Sequence, residues 1–182
     1  MNFLKKYWLL IFLAFLATVL LIVKILLKTA QTLPVGENSW KGITPNISTK
    51  NELEKNLGQP INLEKKEEQT ILYYPSENED WPAEIYVSNK NNKVELIKNL
   101  NPFSNENYQY FINKFGPPNK ELFGPHQGAG FSVFVFLDKG VAIVSNPESG
   151  IVLEVWYFSP TTLENFLKFF GKELTLTPTE RF

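Results

Sequence analysis

Residues 51–60 read NELEKNLGQP, and residues 107–118 read NYQYFINKFGPP. Each stretch is a short run closed by a glycine, with a proline two positions further on. Leu53 and Leu57 in the first, and Tyr108, Phe111, Ile112 and Phe115 in the second, recur at the spacing of one helix face. Gly58 and Gly116 follow directly, where a left-handed residue ends a helix. Pro60 and Pro118 then prevent its resumption. Gly58-Gln59-Pro60 superposes on Gly116-Pro117-Pro118 at an offset of 58 residues. A third, partial version runs through LENFLKFFG, with Leu163, Phe166, Leu167 and Phe170 on one face, and ends at Gly171 without the proline.

Working outward, cap residues precede each run: Ser48 or Thr49, Ser104 or Asn105, and Thr161 or Thr162. Strand-like runs fill the intervals. Thr70–Tyr74, Ala83–Ser88 and Lys93–Lys98 follow the first helix; Phe131–Leu137, Gly140–Ser145 and Ile151–Phe158 follow the second. Asn89–Asn92 and Asp138-Lys139-Gly140 have hairpin composition, and Asn146–Gly150 is a longer turn. The fold class expected is α+β. Two helix–three-strand repeats, 41–100 and 101–158, form antiparallel sheet with helices on one face, followed by a C-terminal helix and tail, 159–182.

A helix closed by Leu57-Gly58-x-Pro60 or Phe115-Gly116-x-Pro118, then an antiparallel meander, resembles the β-lactamase-inhibitor-protein-like fold of the SmpA/OmlA-type envelope lipoproteins. The resemblance covers residues 42–158. It implies helices on one face of a curved antiparallel sheet, and an activity of protein binding rather than catalysis. The departures are a missing lipidated cysteine and missing disulfides, since the chain contains no cysteine.

The first 28 residues differ from the rest. Tyr7–Val23 carries no charge, and Tyr7–Leu27 as a helix would be about 32 Å long, near the ~30 Å of a hydrocarbon core. The expectation is a signal anchor over residues 7–27, in residues 1–28, with the N-terminus cytoplasmic and the C-terminal part outside the cell membrane. A cleaved signal peptide is the alternative, but its nearest small-residue site, Ala30, has Lys28 at −3. Residues 29–40 read as a linker, with Trp40 the first docked residue. Lys5, Lys6, Lys24 and Lys28 are the charges before residue 29, so the formal net charge of −1 leaves −5 for the remainder. That acidity argues against nucleic acid as the partner. One histidine and no cysteine exclude multi-His or thiolate metal centres, so no metal site and no cofactor are expected.

Among candidate chemical groups, His126 lies in the glycine-rich FGPHQGAG, 123–130, which lacks the ending and context of a phosphate loop and reads as a connection. The acidic SENEDWP, 76–82, lacks calcium-loop spacing and reads as a solvated turn. Alternation points elsewhere. Strand Ile151–Phe158 puts Ile151, Leu153, Val155 and Tyr157 on one side and Glu154, Trp156 and Phe158 on the other. Phe134 and Phe136 alternate with valines. The expected binding site is therefore an aromatic sheet face of Phe134, Phe136, Glu154, Trp156 and Phe158, opposite the helices. Trp156 is expected to be partly exposed, so that Trp156→Ala weakens binding and spares the thermal midpoint. The function expected is a membrane-anchored extracytoplasmic module binding a protein or envelope polymer. The alternatives are an envelope-polymer hydrolase using Glu154 and His126, and an oligomeric scaffold subunit.

Overall fold

The computed structural model describes residues 36–76, 80–100 and 105–178. Helix α1, Lys50–Leu57, starts at a full capping box: the Glu52 amide donates to the Thr49 hydroxyl, and the Thr49 amide donates to the Glu52 carboxylate at 2.8 Å. That second bond holds the Glu52 carboxyl below its usual range. Helix α2, Tyr108–Phe115, is capped by Asn107, whose side chain accepts from the Tyr110 amide; neither Ser104 nor Asn105 is the cap. Helix α3, Leu163–Phe169, is capped by Thr162.

Gly58 and Gly116 close α1 and α2 with φ of 83° and 81°. Their ψ values, −161° and −166°, lie outside the left-handed helical well, in a region that only glycine enters freely. Gly171 does not repeat this. Helix α3 is closed by Phe170 in ordinary right-handed geometry, and Gly171 instead lets Leu174 and Phe166 pack closely.

Four strands follow each of the first two helices. They are β1 Asn62–Lys65, β2 Gln69–Tyr74, β3 Ala83–Ser88 and β4 Val94–Leu100, then β5 Lys120–Leu122, β6 Ser132–Phe136, β7 Val141–Ser145 and β8 Val152–Phe158. All eight join in one antiparallel sheet of order β1-β2-β3-β4-β8-β7-β6-β5. The expected architecture of two helix–three-strand repeats is thereby corrected to a single eight-stranded sheet with three helices among the described residues. The strands missed, β1 and β5, are short edge strands. All four β1 residues are exposed, so no buried face imposes an alternation on its sequence. The β1 edge is blunted by Lys65 and by Asn62, whose side chain accepts from the Leu63 amide at 2.8 Å.

The helices do not share one face, which is a second correction. Helix α1 buries Leu53 against Leu72, Tyr74, Ile85 and Ile97. Helix α2 buries Phe111 against Phe134, Phe136, Ile143 and Val155 on the same side of the sheet. Helix α3 lies on the far side, burying Phe166 against Val133, Ala142, Trp156 and Phe158. Leu174 joins it, tied down by a two-way backbone bridge between Phe123 and Thr175.

The anchor expected over residues 7–27 lies outside the described residues. Among the described residues no helix is long and apolar enough to cross a membrane. The longest run to eight residues, about 12 Å, against a hydrocarbon core of ~30 Å. For the described residues the picture of a single-pass membrane protein is corrected on that finding to a domain without a membrane-crossing helix.

Candidate functional site

Strand pairing fixes which side chains share the far face. Asn62 sits opposite Tyr73, Tyr73 opposite Glu84, Glu84 opposite Lys98, and Lys98 opposite Trp156. The next row is Glu64, Ile71, Tyr86, Leu96 and Phe158. Beyond β8 this face becomes apolar, with Ala142, Val144, Val133 and Val135, and that part is what α3 and Leu174 cover. The far face is therefore split. Over β5–β8 it is buried core, which extends to Leu96 on β4 with Tyr86 packed against it; the rest of β1–β4, apart from the buried Ile71, is a polar and aromatic surface with no helix of the described residues packed on it.

The side chains of the open half are tied to one another. The Tyr86 hydroxyl donates to Glu84 at 2.6 Å. The Tyr73 hydroxyl reaches Glu64 at 3.5 Å, and Lys66 Nζ lies 3.6 Å from the other oxygen of Glu64. The indole Nε1 of Trp156 donates to Glu154 at 2.6 Å. The ammonium of Lys98 sits 4.0 Å from the Trp156 ring centre and 5.8 Å from that of Tyr86. Burial, then the Glu84 hydrogen bond and charge, push the Tyr86 phenol far above its usual range. Burial and the charges of Glu84 and Glu64 raise Tyr73. Both phenols therefore stay protonated donors at neutral pH.

At the boundary of the two halves lies a small cleft of about 60 Å³, bordered by Lys98, His126, Glu154, Trp156, Glu173 and Leu174. His126, on the 3-10 turn Pro125–Ala129, places Nε2 3.8 Å from Glu154. The structure thus brings together the two residues suspected in the hydrolase alternative. The space beside them holds a few waters; small-molecule sites usually offer about 300 Å³ or more. Among the described residues no group of three or more His, Asp or Glu side chains could hold a metal ion.

The five residues expected to form one aromatic face are divided between two. Phe134 and Phe136 lie on the α1/α2 side: their cross-strand partners are Ile143 and Val141, which pair in turn with Val155 and Tyr157. Tyr108 packs edge-on against Phe134 at 4.9 Å, and Phe115 lies 5.4 Å from Phe136. Glu154, Trp156 and Phe158 share the far side, as parity requires, but two of them are core. Phe158 is fully buried between Phe166 and Phe170, and Trp156 is 3% exposed. The indole is closed on one side by Lys98 and stacks on Phe166 at 6.3 Å. The expected exposure of Trp156 is wrong because its N–H gives Glu154 a buried partner, which removes the need for water on that side. Of the five, Glu154 and Trp156 border the cleft, Glu154 with its side chain 13% exposed.

Sequence reading missed Glu64, Tyr73, Glu84, Tyr86 and Lys98. The signal was present in AEIYVS, 83–88, where Ala, Ile and Val alternate with Glu, Tyr and Ser. In β4 a bulge opposite Tyr86/Val87 breaks the period, so Lys98 cannot be assigned to a face by counting from Val94.

No protein-family model matches the chain. No curated protein matches it. Two solved structures are similar. One is a DUF4309 family protein from Bacillus subtilis, 16% identical with a TM-score of 0.48, covering 65% of this chain and 82% of that one. The other is an extracellular protein containing a SCP domain from Bacillus anthracis, 11% identical with a TM-score of 0.49, covering 76% of this chain and 50% of that one. Neither likeness carries an inference about what this chain does.

Proposed function

We propose that this protein is a non-catalytic binding module that engages a macromolecular partner through the far face of β1–β4. The supporting observation is the split of that face: α3 covers the apolar half, and the other half presents a linked set of carboxylates, phenols and two ammoniums without a helix of the described residues over it. Side chains held by one another lose little freedom on binding, which favours recognition. The protein-binding activity implied by the resemblance to inhibitor-like domains agrees with this reading. The site differs from the aromatic face expected from sequence, because those aromatics are core. The hydrolase alternative loses support from the size of the cleft beside His126 and Glu154.

The test is site-specific photocrosslinking in the producing cell. A photoreactive residue at Tyr73, on the open half, is expected to trap a discrete adduct, and the same residue at Tyr110, on the outer side of α2, is not. Adducts from both positions, or from neither, argue against the face. An adduct at twice the chain mass from Tyr73 would favour the scaffold alternative.

A further inference from the structure

Building on that binding-face reading, we infer that the partner presented to this surface is a basic stretch of polypeptide, about six residues of extended chain carrying lysine or arginine.

Length follows from the sheet. Along the row from Asn62 on β1 to Trp156 on β8 there are four inter-strand steps, about 19 Å at ~4.8 Å each, which an extended chain spans in about six residues at ~3.3 Å each. Charge gives the sign. Along this path and at its cleft end stand Glu64, Glu84, Glu154 and Glu173, against Lys66 and Lys98. Lys66 is already spent on Glu64. Among the described residues Lys98 pairs with neither Glu84, directly opposite it, nor Glu154; its ammonium rests on Trp156 and Tyr86 instead.

Two further features separate a cationic partner from a neutral polymer. In Glu84 and Glu154 one oxygen is fixed by an aromatic donor, at 2.6 Å in both, so each carboxylate is held in place before a partner arrives. Charge-assisted bonds from lysine or arginine gain most from such fixed acceptors. A sugar site, by contrast, relies on a free aromatic ring face, and the indole here has Lys98 on one side and Phe166 on the other. The seat taken by Lys98 shows the chemistry this surface accepts: an ammonium over aromatic rings with carboxylates alongside.

The probes are the octapeptide Lys-Ser-Lys-Ser-Lys-Ser-Lys-Ser, its Glu-Ser counterpart, and a neutral N-acetylglucosamine hexasaccharide, titrated into the full-length chain by calorimetry at low and physiological salt. The Lys-Ser peptide is expected to bind, more weakly as salt rises, and the other two are not. Glu64→Gln with Glu84→Gln should weaken it about tenfold. Glu54→Gln with Glu121→Gln, an equal charge change on the α1/α2 side, should leave the affinity within about twofold. Lys98→Gln, which removes the resident cation, should tighten it. Equal loss in both double variants, or weaker binding by Lys98→Gln, overturns the inference. Binding of the hexasaccharide that is lost in Glu64→Gln/Glu84→Gln also overturns it, while leaving the open face as the binding site. Silence of every probe together with no crosslink from Tyr73 removes both.

Discussion

Removing the Trp156 side chain should destabilise this protein severely, and the structure allows the cost to be divided. The ring is 3% exposed and stacks on Phe166, so Trp156→Ala opens a cavity under α3, a change that typically costs about 3–5 kcal/mol. The same substitution deletes the N–H that Glu154 accepts at 2.6 Å, and a hydrogen bond to a charged group contributes about 1.5–3 kcal/mol. Water entering the cavity and reaching Glu154 offsets part of that second loss. Trp156→Phe keeps a ring against Phe166 but deletes the donor and part of the buried ring, so it should cost at least about 1.5–3 kcal/mol, or roughly 3–12 °C of midpoint at about 2–4 °C per kcal/mol. Urea unfolding followed by far-UV circular dichroism measures both variants. A double-mutant cycle of Trp156→Phe with Glu154→Leu, which removes the acceptor, isolates the bond and should give a coupling of about 1 kcal/mol or more. An alanine variant within about 1 kcal/mol of wild type would refute the reasoning, because only an exposed indole is removed so cheaply.

Gly58→Ala should cost about 1–3 kcal/mol in the same assay, since φ 83° with ψ −161° strains any residue bearing a Cβ; a loss below about 0.5 kcal/mol would contradict this. Thr49→Ala breaks the capping box of α1 and should cost about 1 kcal/mol, with Thr49→Ser recovering most of it. At high pH, burial and the Glu54 charge push Tyr74 up to about 12, and Tyr86 is raised further. Their folded values exceed the unfolded value of about 10, so their contribution is fully present below about pH 10 and is lost as pH rises through the folded values. Stability should therefore decline from about pH 10 upward, and Tyr86→Phe should flatten the decline; an unchanged slope would count against the burial of Tyr86.

The helices were the most legible part of the sequence, because caps, apolar spacing and terminal glycines are local signals. Gly58 and Gly116 end α1 and α2 with positive φ, as expected of them. The third helix broke the pattern: Gly171 serves packing against Leu174 rather than chain reversal. Strand existence was legible where several alternate residues are buried, and illegible in β1, which buries nothing, and in three-residue β5, which buries Leu122 alone. What the sequence could not convey was which face of one strand continues which face of the next. Parity placed Glu154, Trp156 and Phe158 correctly together, but joining them to Phe134 and Phe136 required the register Phe134–Ile143–Val155, a long-range fact. The reading of Trp156 as exposed rested on the charge of Glu154. It failed because an indole N–H can satisfy a carboxylate inside the protein as well as water can outside it.

The central claim is that one half of the far face is open to a partner while the other half is core. A chain without cysteine permits a clean measurement: the rate of maleimide labelling of single cysteines placed on that face of the native, full-length protein. Cysteines replacing Glu64 and Glu84 should react close to the rate of a free thiol. Those replacing Val135 and Ala142, both 0% exposed, should react at least about a thousandfold more slowly, limited by opening of the fold. Equal protection at all four positions would mean that the face over β1–β4 is covered as well, and would contradict the account.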